Sequence, residues 1–171
     1  MDILKKRITE LFVLNVLDIS FDVANVTQLE SFASSNLTIY IKDCLLHYKN
    51  IVITLEGDLG SGKTTLTSYL LKTLILRDIN ITSPTFNILN QYQTSDGLKI
   101  NHYDLYRIKH SAELEEIGFY ETLFDGLTII EWPSIAKDYI FKYKSNEDSA
   151  FLGITILKVA NDENARKLKF V

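Results

Sequence analysis

The octapeptide GDLGSGKT, Gly57 to Thr64, satisfies G-x-x-x-x-G-K-[ST] in full and restricts the fold more than any other feature of this chain. Gly57, Gly60 and Gly62 let the backbone curl until successive N–H groups converge on one point. A helix starting directly after the loop adds a partial positive charge of roughly half a unit there. An anionic phosphate is what such a cradle holds. The cradle works only between a strand and a helix, and both are legible. IVITLE is a short β-branched run bounded by Asn50 and Gly57, while Leu66, Tyr69, Leu70 and Leu74 fall at helical spacing. The expected architecture is α/β: a P-loop NTPase-like sheet flanked by helices, with antiparallel hairpin strands at the edge. Asp58, Leu59, Gly60, Ser61, Gly62, Lys63, Thr64 and Thr65 are the expected nucleotide contacts, with Lys63 reaching the outer phosphates.

Phosphate held this way calls for a hard cation. The hydroxyl of Thr64 suits Mg²⁺, which takes oxygen ligands and keeps several waters. A second metal ligand belongs at the end of a neighbouring apolar strand, and Glu131, closing LTIIE, meets that description. Asp104 in HYDLYR is a third acid, expected either to orient the attacking water or to hold a metal-bound one. His102, two residues earlier, shares its face in an extended segment; it reads either as a hydrogen-bonded structural residue or as a base. Arg107 reads equally as a phosphate partner and as half of a salt bridge. In ITSPTF, Thr85 is the candidate γ-phosphate sensor, against the alternative of a plain polar turn. Trp132 and Pro133 read as a structural cap on the strand, against a partner-binding role for Trp132.

The 171 residues suit a single domain, divided into a lead-in over 1–35, a motif-bearing core over 36–133 and a C-terminal hairpin region over 134–171. A net charge of -4 argues against broad, salt-driven binding to nucleic acid. One cysteine, Cys44, permits no internal disulfide, and a reducing cytoplasm is the expected location. The start of the chain carries Lys5, Lys6 and Arg7 before an apolar run, but Glu10 and Asn15 interrupt it and no cleavage site follows, so no secretory leader is expected. No apolar run approaches the ~20 residues of a membrane helix.

Between these landmarks, Ser34, Ser35 and Asn36 are possible caps for a helix carrying Leu37, Ile41, Cys44, Leu45 and Tyr48. A hairpin turn is expected at Thr94 to Gly97. SAELEEIGFYETLF reads as one helix capped by Ser111, and the tail as a hairpin around NDENA. KDYIFKYK reads as a strand or amphipathic rim in preference to an RNA-binding stripe. The first eighteen residues fit a helix and a strand equally. No N-K-x-D element reads guanine, which favours ATP over GTP. Four arginines in all, Arg7, Arg77, Arg107 and Arg166, are too few for the lid of a small-molecule kinase. That kinase and an ATP-binding, RNA-contacting accessory protein are the alternative readings.

GDLGSGKTT, SPTF, HYDLYR, ELEEIGFYE and IIEWP, in that order and at these separations, resemble the bacterial TsaE (YjeE) ATPases. The resemblance implies a small P-loop ATPase required for the threonylcarbamoyl modification of adenosine next to the tRNA anticodon. It implies docking on a TsaB–TsaD complex, with tRNA reached only through that complex; the free chain is expected to be a monomer. By motif, Lys63 then contacts phosphates, Thr64 and Glu131 hold Mg²⁺, Asp104 is essential for hydrolysis and Thr85 belongs to a switch-like segment. Ser61 stands where the family more often has Ala.

Overall fold

The computed structural model describes residues 20–76 and 80–170. The first eighteen residues, with their helix-or-strand and leader readings, lie outside that range, as do Arg77 and Val171. Strand β2 (Asn50–Glu56) runs through the centre, and its composition explains why: Ile51 to Leu55 are all buried. A strand buried on both faces needs parallel neighbours with helices above and below. Strands β5 (Leu127–Glu131) and β6 (Ser149–Val159) flank it in parallel, and β4 (Lys99–Asp104) runs parallel to β5. The outer strands β3 (Leu89–Gln93), β7 (Asp162–Phe170) and β1 (Ser20–Val23) are antiparallel, giving the order β1-β7-β6-β2-β5-β4-β3. The α/β sheet with antiparallel hairpins towards its edges is the architecture expected from the sequence, and both hairpin turns fall where turn residues cluster.

Helices fill the two faces. On one, α1 (Val26–Ser31), a π-helical turn (Phe32–Leu37) and α2 (Thr38–His47) follow without a break, joined by α3 (Lys63–Ile75). Leu37, Ile41, Leu66 and Leu70 pack there against Ile51, Ile53 and Leu55. Each such buried aliphatic side chain stabilises the fold by about 1.5–3 kcal/mol. On the other, α4 (Ala112–Glu116), α5 (Phe119–Thr122) and α6 (Lys137–Lys144) set Leu114, Phe119, Ile140 and Tyr143 against Val52, Tyr103 and Ile130. Among the described residues no helix is long and apolar enough to cross a membrane.

Three local expectations are corrected. Ser34, Ser35 and Asn36 lie inside the helical rod, whose true N-cap is Asn25, its side chain accepting from the Gln28 amide. SAELEEIGFYETLF makes two helices, because Gly118 at φ 64° ends one and starts the other. Ser111 makes no side-chain cap; instead the Glu113 carboxylate accepts from the amides of Lys109 and His110. KDYIFKYK is the helix α6. Its alternating aromatics suggest period two, but Ile140 and Tyr143, three apart, are the residues that enter the core, and Phe141 stays in solvent.

The consequence for chemistry is positional. The register pairs Asp104 with Glu131 at the C-terminal ends of β4 and β5, one strand away from the loop that leaves β2. In open α/β sheets, ligands bind outside those strand ends.

Candidate nucleotide and metal site

A cavity of about 250 Å³ opens at these strand ends. Leu59, Gly60, Gly62, Lys63, Thr64 and Thr65 form its floor; Ser83, Thr85, Asp104, Glu131 and Trp132 form its walls. The glycine loop, both acids and Thr85, separated by up to 74 positions in the chain, therefore meet around one space. Asp58 and Ser61 do not line it: Asp58 contributes its carbonyl to Lys63, and the Ser61 hydroxyl is buried without a hydrogen-bond partner. A second hollow of about 290 Å³ is walled by Ile140, Phe141 and Phe151 together with Thr54, Glu56, Thr155, Lys137 and Lys144; none of the glycine-loop residues and neither Asp104 nor Glu131 lines it.

The loop's geometry follows from its glycines. At Gly57 φ is 142°, and a Cβ there would lie 2.4 Å from the Ile156 carbonyl oxygen, so only glycine fits. Lys63 Nζ donates to the carbonyls of Gly57 (2.7 Å) and Asp58 (3.0 Å) and lies 3.8 Å over the Trp132 ring. Burial pulls the Lys63 ammonium below the usual lysine range, against the opposing attraction of Glu131, Asp104 and Asp58. Trp132 adopts a left-handed backbone (φ 58°) directly after Glu131 and packs on Tyr106 at 4.9 Å. It thus closes the strand and also forms a wall of the cavity.

The acids occupy different settings. Thr64 Oγ1 donates to Glu131 Oε2 at 2.9 Å, and His102 Nε2 lies 2.9 Å from Glu131 Oε1. Asp104 accepts at Oδ2 from the hydroxyls of Ser83 (2.7 Å) and Thr85, and at Oδ1 from the Tyr106 amide (3.1 Å). The Arg107 guanidinium lies 4.1 Å over the exposed Phe86 ring.

These residues fit a magnesium-bound nucleotide. Adjacent oxygens of an octahedral magnesium shell, with bonds near 2.0–2.1 Å, stand about 2.9 Å apart. The Thr64 and Glu131 oxygens already have that spacing. Among the described residues no group of three or more His, Cys, Asp or Glu side chains forms a self-sufficient metal site. Two protein oxygens would leave the rest of the shell to phosphate and water, as a substrate-borne magnesium requires. Charge points the same way: two carboxylates face one ammonium, so a polyphosphate needs a dication to offset them.

Two supports lie outside the motifs. Lys158 Nζ donates to the Leu59 carbonyl (2.8 Å), and Arg166 Nε donates to that of Ser61 (2.8 Å). Lys158 and Arg166 are register partners near the tip of the β6–β7 hairpin. Sequence reasoning misses them because only tertiary structure lays that hairpin over the loop. Ser83, also missed, lies in the SPTF segment two residues before Thr85, and that i, i+2 pair of hydroxyls was its available signal.

The family described as "Threonylcarbamoyl adenosine biosynthesis protein TsaE" matches residues 26–167. The chain is 47% identical over 88 residues to a Rickettsia felis protein, covering 52% of this chain and 51% of that one. It is 35% identical over 119 residues to one from Aquifex aeolicus (69% and 74%) and 36% over 115 to one from Bacillus subtilis (66% and 65%). All three carry the name "tRNA threonylcarbamoyladenosine biosynthesis protein TsaE". The match spans about half the length of the Rickettsia felis relative.

Proposed function

The chain belongs to the TsaE family, and from that premise we propose that it is a magnesium-dependent ATP hydrolase serving tRNA threonylcarbamoylation. It acts in the cytoplasm on a TsaB–TsaD complex, and a net charge of -4 leaves tRNA contact to those partners. The observation that carries this reading is the contact between Thr64 and Glu131 at the mouth of the glycine loop.

Each residue then has a task. The loop amides and Lys63 bind the phosphates; to do so Lys63 exchanges its contacts with the Gly57 and Asp58 carbonyls for phosphate oxygens. Thr64 and Glu131 hold magnesium, which supplies charge neutralisation at the outer phosphates. Asp104 orients the attacking water, its position fixed by the Tyr106 amide on one oxygen and two hydroxyls on the other. Thr85 and Ser83, tied to Asp104, sense the terminal phosphate. Catalysis of this kind is positioning plus charge stabilisation, and among the described residues no arginine lines the cavity to clamp a second phosphorylated substrate.

The test is phosphate release from ATP, with and without magnesium, by the chain alone and with a TsaB–TsaD pair. Slow, magnesium-dependent release that rises with the partners is expected. Fast release indifferent to partners, or transfer only to an added acceptor, would contradict the proposal.

A further inference from the structure

His102 makes a contact that the phosphate and water chemistry leaves unexplained. It is fully buried on β4, and its Nε2 lies 2.9 Å from Oε1 of Glu131, itself only 2% exposed. A carboxylate only accepts hydrogen bonds, so Nε2 carries the proton and donates. The other ring nitrogen, Nδ1, is buried without a partner. Leaving a polar atom unsatisfied in a dry core is costly, and an apolar side chain would fill the same space without that cost. The use of an imidazole here therefore rests on its Nε2 contact.

That contact divides the two oxygens of Glu131. Oε1 is engaged from inside the sheet by His102, whereas Oε2 faces the cavity and receives the Thr64 hydroxyl. A carboxylate free to rotate would offer the cavity either oxygen at varying depth; one pinned at Oε1 offers Oε2 at a fixed place. We infer that His102 is a positioning residue, which holds Glu131 through Oε1 so that Oε2 and Thr64 Oγ1 form a preset pair for magnesium. Partners of this kind orient metal ligands and are worth 10- to 100-fold in metal affinity. The inference rests on the magnesium site proposed above.

Titration of the purified chain with ADP, in magnesium and in EDTA, measures the factor by which magnesium strengthens binding, with no turnover involved. His102→Gln carries an amide nitrogen that reaches about as far as Nε2 and should keep the wild-type factor. His102→Asn places its amide near the Nδ1 position, short of Glu131, and should lower the factor about 10- to 100-fold, with affinity in EDTA unchanged. Equal metal dependence in the two folded variants would overturn the inference. So would an equal fall of the Asn variant's affinity in EDTA, which would assign His102 to packing alone. If His102→Asn does not fold, His102→Gln decides: a retained factor supports the role and a lost one overturns it. A wild-type chain that binds ADP equally with and without magnesium would instead remove the magnesium reading itself, and the inference with it.

Discussion

The two walls of the cavity are built differently. Glu131 ends a strand hydrogen-bonded on both sides, to β2 and to β4, and is gripped by His102 from within the core. Thr85 sits opposite in a stretch, 80–88, that belongs to no helix or strand, carries the 81% exposed Phe86, and ends at Ile88 with φ 65°. A β-branched residue in the left-handed region is strained by roughly 1–3 kcal/mol. The Glu131 wall is fixed by the sheet, while the Thr85 wall reaches Asp104 through the Ser83 and Thr85 hydroxyls and is anchored beside them by buried Ile81 and Pro84 and by the Asp104 amide donating to the Ile88 carbonyl (3.0 Å). A segment outside the sheet that carries a strained backbone position rearranges at lower cost than a strand paired on both sides. Asp104 joins the two walls, since it is paired in register with Glu131 yet bonded to the Ser83–Thr85 side.

That contrast can be broken experimentally, and the largest effect should come at the joint. Asp104→Ala should retain nucleotide binding and lose roughly 10²- to 10⁴-fold in hydrolysis, read by single-turnover phosphate release; normal turnover would remove Asp104 from its role. Next comes the fixed wall. Thr64→Ala removes a metal oxygen and should weaken magnesium-dependent ADP binding about 10-fold or more, with affinity in EDTA little changed, by calorimetry. A smaller effect is expected on the Thr85 wall. Thr85→Ala deletes one hydroxyl bond to a charged acceptor, worth about 1.5 kcal/mol, so turnover should fall roughly tenfold with ADP affinity intact. A drop in ADP affinity instead would place Thr85 with the fixed wall. The smallest effect lies far from both. Leu76, exposed at the C-terminal end of α3 with φ 54°, becomes glycine at a gain of about 1 kcal/mol, seen as a higher urea midpoint without change in hydrolysis.

The same contrast separates what the sequence reveals from what it conceals. The fixed wall is legible because each part has a local signature: a β-branched run into a glycine loop, and an apolar strand closed by Glu131. Pairing Asp104 with Glu131 needs the two strands to be parallel, adjacent and in the register that brings their C-terminal ends level. The interlock of Ser83, Thr85 and Asp104 is less legible, since a loop carries no period to place its hydroxyls. Lys158 and Arg166 are hidden for another reason: their chain neighbours reveal a hairpin, but not that its tip covers the phosphate loop. In α6 the period itself misleads, because Tyr139, Phe141 and Tyr143 alternate like a strand while the core takes Ile140 and Tyr143.

A crystal structure of the chain with magnesium and a non-hydrolysable ATP analogue bears most directly on the central claim. The account predicts one magnesium ion on the analogue's phosphates, with Thr64 Oγ1 in its coordination shell and Glu131 Oε2 bound directly or through a single water. A metal held on the phosphates with Glu131 still closed onto Thr64 and remote from the ion would contradict it.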